Sequence, residues 1–62
     1  MNMDYEWEVR YIDRNGEPQV YFIPDTDKHL TEDQAKQKVA DRANVPLENI
    51  SSAEWVEDSL PF

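Results

Sequence analysis

The sequence predicts an α+β fold of order β-β-α-β, in which a three-stranded antiparallel sheet of order 2-1-3 carries one helix on one face. Three observations point there. Residues 4–12 alternate apolar and charged side chains, Asn15-Gly16 marks a hairpin, and Thr31 opens a helix with capping-box spacing.

The first strand runs from Asp4 to Ile12, placing Tyr5, Trp7, Val9 and Tyr11 on one side and Glu6, Glu8, Arg10 and Ile12 on the other. The Asn-Gly turn follows, its glycine free to adopt a positive φ. Gln19 to Ile23, rich in β-branched and aromatic residues, then reads as the returning strand. Pro18 and Pro24 bracket it and suit a sheet edge, because proline donates nothing to a ladder. With Trp7 and Phe22 assigned to the helix side, the open side is expected to carry Gln19, Tyr21 and Ile23.

Asp25 to His29 forms a short polar connection. Thr31 is the expected N-cap and Gln34 its capping-box partner. Glu32 and Asp33 sit at the positive end of the helix dipole, and Leu30 staples onto Ala35. The helix should run to about Ala43 with Ala35, Val39 and Ala43 on a narrow buried face, until Asn44-Val45-Pro46 stops it. A single turn at residues 46–49 would place Leu47 over the end of the core. Ile50 to Glu57 is the third strand, with Ala53 and Trp55 toward the helix and Ser52, Glu54 and Val56 outside, unless a bulge shifts the register. Residues 1–57 thus form a single small domain. Residues 58–62 are a tail that is either disordered or docked through Leu60 and Phe62.

At 62 residues the chain can bury only about 60% of the surface its unfolded form exposes. It has no cysteine, which excludes a disulfide framework and a thiolate zinc site and makes a reducing cytoplasm the expected location, the host cytoplasm if the chain is phage-encoded. No apolar run approaches the ~20 residues of a membrane helix, and the opening residues lack the basic-then-apolar order of a signal peptide. Fourteen acidic residues against six basic ones give a net charge of −8. That disfavours direct contact with nucleic acid or an anionic membrane and favours a protein partner with a basic surface, although acidic surfaces also serve solubility alone.

Residues that could carry chemistry are few. Asp25, Asp27 and His29 have a spacing that invites a cation, but an EF-hand loop would need glycine and glutamate where Leu30 and Lys36 stand, so a solvated loop is the better reading. One histidine, no cysteine and no glycine-rich phosphate loop leave no foothold for catalysis, and no cofactor or metal is expected. Asn49-Ile50-Ser51 fits the glycosylation pattern only as an accident of composition.

The informative surface is therefore the side of the sheet away from the helix. Glu6, Glu8, Arg10, Ile12, Tyr21, Ile23, Glu54 and Val56 are the candidate partner-binding residues there. Same-face carboxylates recur about every 7 Å along a strand, a line of negative charge that a nucleic-acid-binding protein could mistake for a phosphate backbone. The apolar members would anchor the contact. Charged open faces also occur with no partner at all.

The hairpin followed by Leu30-Thr31-Glu32-Asp33-Gln34-Ala35 and a last strand resembles the small phage inhibitors of host RNA polymerase of the T7 type. Val20 to Asp25 followed by a Thr-capped helix resembles the HicB-type antitoxins, whose glycine-rich connection is missing here. No functional residue is carried over from either. The expected function is that of a small acidic non-enzymatic binding protein, a phage or mobile-element accessory factor that inhibits or modulates a host nucleic-acid-binding enzyme by contacting its basic surface, with nucleic-acid mimicry as one way of doing so. The alternative is a self-associating, antitoxin-like regulatory module, so that both monomer and homodimer stay open.

Overall fold

The computed structural model describes residues 4–25 and 27–58. In order these form β1 (Asp4–Ile12), β2 (Pro18–Pro24), α1 (Glu32–Ala43), one 3-10 turn (Leu47–Asn49) and β3 (Ile50–Asp58). Among the described residues the three strands make one antiparallel sheet in the order β2-β1-β3, so the expected α+β architecture is the one observed. β3 reaches one residue beyond its expected end. The rest of the expected tail lies outside the described residues.

The hairpin turn decides which residues of β2 face the helix. A two-residue Asn-Gly turn would pair Arg14 with Glu17 and bring Phe22 opposite Val9. The observed loop is one residue longer. The Gly16 N–H donates to the Asp13 carbonyl at 3.0 Å, Gly16 takes φ +82, and the Asp13 N–H donates to the Glu17 carbonyl at 2.9 Å. This is a type I turn closed by a left-handed glycine. The Asp13 carboxylate selects it by accepting the N–H groups of Asn15 and Glu17, each at 2.9 Å, through one oxygen and the Gln19 amide at 2.9 Å through the other. As a result Trp7 pairs with Ile23, Val9 with Tyr21 and Tyr11 with Gln19. A one-residue slip exchanges the two sides of a strand. Tyr21 and Ile23 therefore lie on the helix side, and Val20 and Phe22 on the open side, the reverse of the expectation.

On β3, Trp7 pairs with Trp55 and Val9 with Ala53, which puts Ala53 and Trp55 on the helix side, the expected facing. A bulge between the Arg10 and Tyr11 pairings then brings Ile50 opposite Tyr11. Asn49 secures this end by donating its side-chain amide to the Ile12 carbonyl at 2.9 Å.

α1 begins as its sequence dictates. The Thr31 hydroxyl accepts the Gln34 N–H at 3.2 Å, and the Gln34 side chain accepts the Thr31 N–H at 2.9 Å. Asn44 ends the helix in the left-handed region at φ 58, where the following Val45 N–H returns to the Ala40 carbonyl at 3.0 Å and the Val45 side chain is buried. The small residues Ala35 and Val39 bring the helix down on Trp7, Val9, Ile23 and Ala53, with Leu30, Ala43 and Ile50 packed around this core. Leu47 does not cover the end of the core. It is 51% exposed, because its one-turn helix points it into solvent.

Candidate functional site: the open face of the sheet

The face that α1 leaves uncovered is built from three columns. β1 supplies Glu6, Glu8, Arg10 and Ile12. β2 contributes Pro24, Phe22, Val20 and Pro18 opposite them, and β3 adds Val56, Glu54 and Ser52 on the other side. Of the expected partner-binding residues the structure brings together Glu6, Glu8, Arg10, Ile12, Glu54 and Val56. Tyr21 and Ile23 are corrected: Ile23 is 5% exposed within the core, and Tyr21 packs half-buried against it. Their places are taken by Val20 and Phe22, which are 44% and 47% exposed. Sequence could not separate these pairs by hydrophobicity, since Val20-Tyr21-Phe22-Ile23 is apolar throughout. The signal lay in Asp13, which sets the turn length.

The columns differ in chemistry. β2 is uncharged, and its Val20 and Phe22 form an apolar strip. Beside it Glu8 pairs across strands with Glu54, a placement of like charges that opposes sheet formation. Arg10 offsets part of this through an ion pair with Glu8. Arg10 is the one base among the residues of this face, against Glu6, Glu8 and Glu54. At one end, a shallow groove runs between Arg10, Ile12, Pro18, Val20 and Ser51.

The second polar feature lies at the opposite edge of the helix layer, and sequence reading missed it. Asp25 is 7% exposed, and every polar atom it has is engaged. Its N–H continues the β1 ladder to the Tyr5 carbonyl at 3.0 Å. One carboxylate oxygen accepts the His29 N–H at 2.8 Å; the other accepts the Leu30 N–H and the Trp7 indole N–H, each at 2.9 Å. Its carbonyl accepts the Trp55 indole N–H and the Lys28 N–H, each at 3.0 Å. Burial on its own would raise the carboxyl pKa. The Leu30 and His29 N–H groups, the Trp7 indole and the nearby His29 ring outweigh that and hold it below the ordinary 3.8. The trace available in the sequence was the pair of core-side tryptophans, because a buried indole N–H needs an acceptor.

Asp25, Asp27 and His29 do not assemble a cation site. The carboxylate of Asp25 is filled by N–H donors, while the exposed His29 ring stands 4.0 Å from Asp25 and 3.9 Å from Asp27. Among the described residues no group of three His, Asp or Glu side chains is placed to hold a metal ion. Lys28 adopts φ 53 in this loop and lays its ammonium 4.9 Å from the Trp55 ring, which in turn stacks on Tyr5 at 4.5 Å.

The fold and this face define an α+β domain of one helix on a three-stranded sheet, with one side of the sheet open, acidic and partly apolar. No helix of the described residues is long and apolar enough to cross a membrane. Compared with protein-family models, curated proteins and solved structures, the chain matches none.

Proposed function

We propose that the chain is a non-enzymatic binding protein that lays the open face of its sheet on a protein partner with a basic surface. The observation that carries this reading is the Glu8–Glu54 cross-strand pair standing next to the exposed Val20–Phe22 strip. Two carboxylates facing each other weaken the free sheet, and a lysine or arginine from a partner would relieve that repulsion. The apolar strip would supply the desolvated centre that a charged contact alone lacks. Proteins that handle nucleic acid carry basic surfaces, because neutralising phosphates takes clustered lysine and arginine. The role we assign is that of an accessory factor of the phage or mobile-element kind, which modulates a host nucleic-acid enzyme by occupying the surface its substrate would use, acting in the cytoplasm.

The test is affinity and salt dependence with the partner captured from a cell lysate. Glu6→Gln combined with Glu8→Gln should slow association and flatten the dependence on salt. Equal affinity and an equal salt slope for the variant and the parent would refute the charge-based reading.

A further inference from the structure

The two edges of the sheet are not alike. β2 is blunted at both ends by Pro18 and Pro24, which offer no N–H to an incoming strand. β3 extends for nine residues without proline or a basic residue, and no backbone hydrogen bond connects its outer edge to another element among the described residues. A long unprotected edge is a template for strand addition.

The chemistry along that edge narrows what can be added. Glu54 and Glu57 are exposed, while Trp55 and Val56 between them are half-buried. Alternation places Glu54 and Val56 on the open face, and Trp55 and Glu57 on the helix side. A strand laid beside β3 would meet an acid, an apolar residue, a second apolar residue and a second acid at four successive positions. That order is the same in both directions.

A second copy is a poor occupant. Full-length antiparallel pairing of two Ile50–Asp58 strands sets Glu54 against its own counterpart, and each chain carries a net charge of −8.

We propose that the outer edge of β3 binds an extended segment of a partner protein with the pattern basic-apolar-apolar-basic, held by backbone hydrogen bonds to β3 and by charge pairing to Glu54 and Glu57. This rests on the reading of the chain as a binder of basic proteins and names how the partner's backbone is engaged.

The probe is a capped peptide, Thr-Thr-Lys-Leu-Val-Lys-Thr-Thr, titrated calorimetrically against the whole protein. Two N-methylated forms, each blocking alternate amides, distinguish a ladder from side-chain attraction. One form should bind at least about tenfold more weakly, and the other, whose blocked amides face away from β3, within about twofold of the parent, since a lost ladder leaves polar groups unpaired. Glu54→Lys with Glu57→Lys should abolish binding of this peptide and transfer it to the version with Glu in place of Lys. Equal binding of both N-methylated forms, or of a scrambled peptide of the same charge, would overturn the proposal. So would a homodimer by sedimentation that the peptide fails to dissociate.

Phe22→Thr, on the far strand, should leave peptide binding unchanged. If the peptide fails while open-face variants still weaken the captured partner, strand addition alone is refuted. If the peptide binds and those variants have no effect on the partner, the open-face reading is the one that falls.

Discussion

Phe22 and Ile23 are neighbours in one strand, both large and apolar, yet Ile23 is 5% exposed and Phe22 47%. Nothing in either side chain explains the difference. It comes from the turn that precedes the strand, where the Asp13 carboxylate gathers the N–H groups of Asn15 and Glu17 and fixes a loop whose length sends odd-numbered residues of β2 to the helix. A turn carboxylate thereby decides which apolar residues stabilise the fold and which are left exposed on the open face.

The comparison can be broken most severely from the buried side. Ile23→Ala should cost about 2–5 kcal/mol, enough to unfold much of so small a domain, as read from a urea midpoint. Trp7→Phe should cost about 1–3 kcal/mol, because the Asp25 carboxylate loses one donor and the smaller ring leaves part of the buried indole volume empty. Acid offers a third route. The carboxyls of Asp25 and Asp13 are both held below 3.8 in the folded state, Asp13 chiefly by the Glu17 N–H and the Gln19 amide. Their stabilisation is therefore complete above that pH and is lost as pH falls through the folded values, so the urea midpoint should decline below about pH 4. Asp25→Asn should remove part of that decline, measured across the same range. The smallest effect is expected on the open side, where Phe22→Thr should change stability by less than about 0.5 kcal/mol, while weakening a partner that uses the apolar strip.

These positions also show how far the sequence could be read. β1 was legible to the residue because charge and apolarity alternate strictly from Asp4 to Ile12, and α1 because Thr31 and Gln34 are local chemistry. β3 was legible in its facing, since Ser52 and Glu54 flank Ala53 and Glu54 separates it from Trp55. The facing of β2 was not, because both of its alternation sets are apolar and the arbiter was a turn. That ambiguity reached the candidate site, exchanging Val20 and Phe22 for Tyr21 and Ile23. Asp25 was hidden for another reason. Its role depends on indole groups 18 and 30 residues away in the chain and on a left-handed Lys28, none of which a local pattern encodes.

The convergence of both indole N–H groups on Asp25 has a consequence for spectroscopy. The chain contains two tryptophans, and each is tied to the same loop residue, one through its carboxylate and one through its carbonyl. Their emission is then a shared reporter of Asp25 and the loop it anchors rather than two independent probes. A loop that swung open with the sheet intact would shift both signals together. A fluorescence melt would run ahead of the backbone circular dichroism and be mistaken for global unfolding. Agreement of the two curves would show that the loop and the sheet melt as one unit.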